Sequence, residues 1–333
     1  MADRILAGHG SGGKLMNEMI GGLIRRVLGP ENVQLDDSAV LSIGAERIAF
    51  TTDTFTITPI EFPGGTIGSL AVNGTVNDLA VMGARPLYLS CALLLEEGLE
   101  VDTLERVLAS MREAADRAGV GIVTGDTKVV EKGKADKIFI NTAGIGILEH
   151  GVERREITPG DAVIINGHIG DHGIAIMAIR NDLSFSRGLV SDCAPMNRLI
   201  QKVTAAFPES VKFMRDPTRG GVASVLNEIV KGAPFGIGLS EESLPIRDEV
   251  LGVSSMLGID PLYVANEGKV LMIVRGEDAD SIVETMRSLP EGAGAAVIGR
   301  VGEAHPGRAY LITRTGGRRI LPLLIEEQLP RIC

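Results

Sequence analysis

The chain alternates strand and helix signals, and after about residue 150 the alternation begins again from the start. "RIAFTTD" (residues 47–53) is the first strand signal. In "TIGSLAVNGTVNDLAVMG", Ile67, Leu70, Ala71 and Gly74 recur at helical spacing, and Gly83 with Pro86 closes the segment. "PLYLSCALLL" reads as a buried strand, "DTLERVLASMREAADRAG" as an amphipathic helix ended by Gly119, and "VGIVTGD" and "KIFINTAGIGILE" as strands. Near "RREITPGD" the pattern restarts with strand "AVIING" and helices from Asp171 and from about Met196. Helix "GGVASVLNEIVKG" follows, with Val222, Val225, Leu226, Ile229 and Val230 at helical spacing. Strand "KVLMIVRG", helix "DADSIVETMRSLP" and strands "AAVIGRVGE" and "RAYLITR" complete it. A chain of 333 residues suits two domains. The expected division is a Gly-rich segment over 1–35, mixed α/β domains over 36–152 and 153–310, and a tail over 311–333.

Composition removes several function classes. The formal net charge is −10 with no long Lys/Arg run, which argues against nucleic acid or an anionic membrane as partner. No apolar run approaches the roughly 18 residues of a membrane span, and "MADRILAGHG" lacks a leader pattern, so a cytoplasmic location is expected. Cys91, Cys193 and Cys333 are too far apart for a CxxC knuckle or a disulfide framework.

The carboxylates carry more information. Asp36 and Asp37 in "LDDSAV", Asp53 in "TTDTF", Asp78 in "VNDLAVMG", Asp126 in "TGDTK" and Asp216 in "RDPTRGG" mostly sit at strand ends or tight turns. Converging from separate loops, they would suit a hard cation such as Mg²⁺. Taken singly, each also reads as a cap or turn residue; Asp216, before Pro217, fits a helix N-cap. Asn73 and Asn77 put a polar stripe beside Asp78 on an otherwise apolar helix, which points to a ligand. "GHGSGGK" has P-loop letters, but Leu15 replaces the metal-binding Ser/Thr and no strand precedes it. Its amides and Lys14 retain the means to wrap phosphates. His168 and His172 stand four apart, a zinc spacing without a third ligand; a helix N-terminus that accepts an anion is the other reading. Glu267, before a buried strand, is either a turn carboxylate or a functional one.

The last residue is Cys333, in "EEQLPRIC". Pro322 and Pro330 disfavour a continuous helix, so an extended, mobile tail is expected. Its eleven residues from Pro322 reach at most about 35–40 Å. That is enough to enter an active site and to swing out to a partner.

"DDSAV", "TTDTF", "NDLAVMGARP" and "DPTRGG" stand in the order found in the AIR synthetase (PurM-like) and selenophosphate synthetase superfamily. With "HGSGGK", "TGDTKVVEKGKAD", "GDHGIAI", "NEGK" and the terminal "PRIC", the whole chain most resembles the HypE-type carbamoyl dehydratases within it. The resemblance implies a two-domain α/β (α+β) fold, with mixed sheets, helices on one face and flexible tails. It implies a homodimer, ATP and Mg²⁺. Asp37, Asp78 and Asp216 would be the metal ligands, and Lys14, Asp36, Asp53, Asn77 and Asp126 would surround the nucleotide. Cys333 would carry a carbamoyl group from a HypF-like carbamoyltransferase, with Lys134 and Glu267 handling the modified thiol. Dehydration to a thiocyanate would then supply cyanide to an iron centre on a HypC–HypD-like scaffold. A thiamin monophosphate kinase, a selenophosphate synthetase and a non-catalytic scaffold with a docking tail are the alternatives. "HGSGGK" lacks the reactive Cys or Sec expected of the second.

Overall fold

The structure, a computed structural model, describes residue 5 and residues 13–28, 36–148, 155–183, 188–324 and 331–333. The loop Gly8–Gly12 lies outside these, and so do residues 325–330 of the tail.

A short helical stretch leads in, where α1 (Lys14–Met19) and α2 (Arg25–Leu28) flank one π-helical segment. The first domain then forms β1 (Ala39–Ile43), β2 (Glu46–Phe55), a small hairpin of β3 (Glu61–Phe62) and β4 (Gly65–Thr66), α3 (Ile67–Val81), β5 (Arg85–Glu96), α4 (Val101–Ala118), β6 (Gly121–Val130) and β7 (Ile138–Ile147). The sheet order is β1-β2-β7-β5-β6, antiparallel except where α4 crosses over to make β5 and β6 parallel. Thr66 caps α3 reciprocally with Ser69, and Gly119, at φ +74°, ends α4.

Helix α3 is buried almost all round, because the sheet covers one side and the second domain the other. Helix α4 buries only Val107, Met111, Ala114, Ala115 and Ala118, as its amphipathic pattern dictates. The opposite face of the sheet carries no helix among the described residues. Phe50, Ile145 and Tyr88 lie in register across β2, β7 and β5 on that face, and are 42 %, 38 % and 49 % exposed. "PLYLSCALLL" is therefore a strand as expected, but covered on one face only.

The second domain contains β8 (Ala162–Ile165), α5 (Asp171–Arg180), α6 (Asn197–Ala206), β9 (Val211–Arg215), α7 (Gly221–Val230), β10 (Gly236–Ser240), α8 (Asp248–Leu257), β11 (Leu271–Val274), α9 (Ala279–Arg287), β12 (Ala296–Gly302), β13 (Ala309–Ile312) and β14 (Arg318–Ile320). They pair as β14-β13-β10-β12-β8-β11-β9. Side chains alternate between two cores. Ala162, Ile164, Met272 and Val274 meet α6 and α9, while Val163, Ile165, Leu271 and Ile273 meet α7. Helices on one face thus describes the first sheet, whereas the second is covered on both. The sheet also runs on to Ile320, so the stretch from 311, expected as tail, includes the end of β13 and all of β14. No helix among the described residues is long and apolar enough to cross a membrane.

Candidate functional site

Three carboxylates from both domains converge at the seam. Asp37 precedes β1, Asp78 lies in the last turn of α3, and Asp216 follows β9. One oxygen from each lies within 4.8 Å of the others. The Thr51 hydroxyl bonds both the Asp37 carbonyl (2.8 Å) and the Asp78 carboxylate (3.0 Å), and Ser38 bonds the Asp78 carbonyl at 3.0 Å. Arg215 pairs with Asp37 at 2.9 Å. Asp216 is not a helix cap. The chain passes through Pro217 to Gly220 and Gly221, at φ +76° and +60°, before α7 begins. A Cβ on Gly221 would stand 2.6 Å from the carbonyls of Leu262 and Val264, so this left-handed turn needs glycine.

Burial pushes all three acids up. Asp37 reaches about 6 even with Arg215 beside it. Asp216 reaches about 8, through burial and then the charge of Asp37. Asp78 goes well above the usual range, through burial and then the charges of Asp216, Asp37 and Asp53. A divalent cation among these oxygens would reverse that balance. Three hard carboxylate ligands suit Mg²⁺, with coordination left for water and phosphate. Asp36 lines the same small cleft, with Arg215 and Lys212. Asp53 sits on β2 close enough to feel Asp78, Asp216 and Glu267; burial raises it, and Arg219 holds it down.

Other expected residues stand elsewhere. Asn77 spends its amide on the second domain, donating to the Ala194 and Glu267 carbonyls (3.1 and 3.2 Å) and accepting the Met196 N–H at 2.7 Å. With the amide so engaged, it ties the domains together instead of facing a nucleotide. Asp126 lies on edge strand β6, exposed and paired with Lys128 at 2.9 Å. Three strand spacings, roughly 14 Å, separate β6 from the β2 strand of Asp53. Lys14 is exposed and pairs loosely with Glu18 at 3.8 Å. Lys134 is exposed in the turn between β6 and β7.

The tail's end is docked, not free. Ile332 is 2 % exposed, and Cys333 is half-buried against the core cluster that holds Val72, Cys193 and Ala265. Thr56 donates its N–H to the Cys333 carbonyl at 3.1 Å, and the Arg331 guanidinium bonds Asp136 (2.7 Å) and the Thr56 carbonyl (2.9 Å). From α5, Arg180 bonds the carbonyls of Thr58 and Arg331. Fully buried His172 touches the Ile332 carbonyl through Nε2 and the Ser191 hydroxyl through Nδ1, both at 2.8 Å. The Ile332 carbonyl can only accept, so Nε2 carries the proton, and in the neutral imidazole Nδ1 accepts from the Ser191 hydroxyl. Those bonds exclude a zinc site at His168 and His172. This dock went unread in the sequence, although a histidine on an apolar helix was visible there.

Glu267 lies at the same seam. It is 2 % exposed, its Oε1 has no partner, and burial, then Asp192, raise it well above the carboxylate range. Asp192 and Lys269 form a buried pair at 2.8 Å below it. Although burial opposes ionisation, Lys269 and His172 hold Asp192 below its ordinary value. The pairing partner Lys269 belongs to the same "NEGK" stretch, whose Asn266 bonds the Gly170 N–H at 2.8 Å.

Residues 35–148 match the AIR synthase related protein N-terminal domain and residues 158–312 its C-terminal domain. The chain is 48 % identical over 337 residues to the carbamoyl dehydratase HypE of Rhodobacter capsulatus, covering 99 % of this chain and 98 % of that one. It is also similar to a HypE–HypF complex structure (TM-score 0.85, 44 % identity, 92 % and 99 % of the two chains covered) and to a HypE structure in complex with ATP (0.81, 45 %, 99 % and 100 %). Two domains, a seam of acids and a terminal cysteine thus sit in a chain that belongs to the HypE family of carbamoyl dehydratases, enzymes of hydrogenase maturation on the AIR synthase related fold.

Proposed function

We propose that the chain uses ATP to dehydrate an S-carbamoyl group on Cys333 to a thiocyanate, which supplies the cyanide ligands of the [NiFe] hydrogenase iron centre. The docked tail carries this reading. Cys333 hangs from Thr56, three residues beyond Asp53 on the same chain, or roughly 10 Å along an extended backbone. The last residue thus docks just past the end of β2, the strand that carries Asp53.

The reaction balances without a redox partner. The carbamoyl oxygen attacks the γ-phosphorus of ATP and ADP leaves. The nitrogen gives up one proton, leaving an O-phosphorylated imidate on sulfur. Loss of the second N–H proton expels phosphate and completes the C≡N bond. Amide oxygen is a poor leaving group and phosphate a good one, so the ATP serves activation. Glu267, buried and poorly solvated as an anion, is a candidate base. Magnesium held by Asp37, Asp78 and Asp216 would neutralise triphosphate charge. Asp53 and Asp36 border that place; Lys134 stands two residues before Asp136, which grips Arg331, and Lys14 and Asp126 would need other surfaces to reach a nucleotide.

A HypF-type carbamoyltransferase would load the thiol, which must first leave its dock, and a HypC–HypD-type scaffold would take the cyano group. The bare apolar row of Phe50, Ile145 and Tyr88, beside edge strand β6, supports a homodimer through the first sheet. The test is intact mass after incubation with the transferase, carbamoyl phosphate and ATP. The wild type should gain a cyano group on Cys333. Cys333→Ala should gain nothing yet bind ATP, while Cys91→Ala and Cys193→Ala should behave as wild type. A thiocyanate on another residue would defeat the proposal.

A further inference from the structure

The second sheet ends in an open edge at β14, and the bonds beside that strand fix which groups the edge offers. Thr313 donates its N–H to the Gly317 carbonyl at 2.8 Å, and Leu321 donates to the Ala309 carbonyl at 2.9 Å. Leu311 stands opposite Arg319 between them. Residues 317, 319 and 321 therefore turn their backbone groups toward β13, and by alternation Arg318 and Ile320 turn theirs outward. No strand among the described residues takes them up. Ile312 and Ile320 share one face of this edge and are 37 % and 41 % exposed. Arg318, on the same face, lies over the Tyr310 ring at 5.7 Å and donates to His305 Nε2 at 3.2 Å. It meets no carboxylate among the described residues. Arg319, on the other face, pairs with Asp260 at 2.7 Å. Arg314 is exposed in the turn before β14 and gives its backbone N–H to Glu241 at 2.8 Å. The whole chain carries a net charge of −10, so this cationic corner runs against the charge of the molecule.

We propose that β14 is a docking edge for an extended acidic segment of a partner protein, which adds to the second sheet as a further strand. Main-chain bonds to Arg318 and Ile320 hold the segment, its apolar side chains cover Ile312 and Ile320, and its carboxylates meet Arg314 and Arg318. Edge arginines can also serve only to keep strands from sticking to one another. That role accounts for the charges but not for the two isoleucines left bare beside them. A second copy of the chain is a poor occupant, because it would lay Arg318 and Arg319 alongside their own kind. β14 stands at the far end of the sheet from β9, the strand that leads to Asp216. Six strand spacings, roughly 29 Å, separate the two, so an added strand leaves the acidic seam open.

Amide exchange in the full chain tests this, with a capped peptide of alternating Glu and Val as the probe. In the free chain the Arg318 and Ile320 amides should exchange quickly and the Arg319 amide slowly. The peptide should slow Arg318 and Ile320 about tenfold or more, and a Lys–Val peptide of the same length should not. Arg314→Glu combined with Arg318→Glu should weaken peptide binding about tenfold, the size expected of two surface ion pairs, with circular dichroism unchanged. Ile320→Pro removes one outward N–H and spares the bonds to β13, so it should abolish the protection of Arg318. Slow exchange of Arg318 and Ile320 in the free chain means that the edge is already filled, and overturns the proposal. Equal protection by the Lys–Val peptide, or none from the Glu–Val peptide at millimolar concentration, does the same. A double variant that binds the peptide as the wild type does but self-associates makes the arginines guards against aggregation, and the docking edge falls.

Discussion

The two sheets differ in closure. The second is covered on both faces, and its strands β8 and β11 are buried throughout. The first carries α3 and α4 on one face and leaves the other bare, so that Tyr88, Phe50 and Ile145 face outward. Strands buried on both faces are continuous apolar runs, whereas one-sided strands alternate. β8 obeys the first rule with "AVII". β5 shows the same apolar run with one face bare, the feature on which the proposed homodimer rests.

Asp216→Asn gives the largest expected effect, at the seam where neither domain is complete. Magnesium-dependent ATP hydrolysis should fall about a thousandfold, with circular dichroism unchanged. Normal turnover at saturating ATP would remove the acids from the site. Next comes core against open face. Ile164→Ala should cost about 2–4 kcal/mol in urea unfolding, and Ile145→Ala less than about 0.5 kcal/mol. Equal losses would mean the first sheet is closed after all. Third, Tyr88→Glu should weaken self-association about a hundredfold, read by sedimentation. A wild type that sediments as one chain at micromolar concentration ends the homodimer reading.

The smallest effect is one of pH. Burial lowers His172 below its ordinary 6.5, against Asp192, which raises it, and the Ile332 contact; Arg180 adds to the lowering. A proton therefore binds His172 more readily in the unfolded chain than in the folded one. The stability this group contributes is fully present above about pH 6.5 and is lost as pH falls through its lower folded value. Urea unfolding should show the wild type losing stability between about pH 7.5 and 5.5 by more than His172→Gln does. A flat profile in wild type, or the same loss in His172→Gln, would contradict it.

Much of this was legible in the sequence, and the exceptions share a cause. Helices α3 and α4 follow from periodicity, whereas the grouping of Asp37, Asp78 and Asp216 came from the family resemblance, since each aspartate alone also reads as a cap or turn. The bonds of Asn77 to Ala194, Glu267 and Met196 were not legible, because a polar stripe on a helix does not say whether it faces a ligand or another domain's backbone. The Gly220–Gly221 turn displaced the cap reading of Asp216, since Pro217 does not open the helix here. The dock for Arg331 and Ile332 joins residues more than 150 positions apart, and no local pattern encodes that. Strand β14 is three residues long, too short for a periodic signal.

Asn77 and Asp78 are neighbours on the final turn of α3, one gripping Ala194, Met196 and Glu267 of the other domain, the other facing the Asp37 and Asp216 carboxylates. Any shift of the second domain would therefore pull on the peptide unit that aims the Asp78 carboxylate. If the three acids hold magnesium as proposed, domain position and ion affinity would be linked, and by reciprocity a bound ion would steady the seam. Magnesium titrated into the protein should slow hydrogen exchange at the Met196 amide, and Asn77→Ala should uncouple the two while the carboxylates remain.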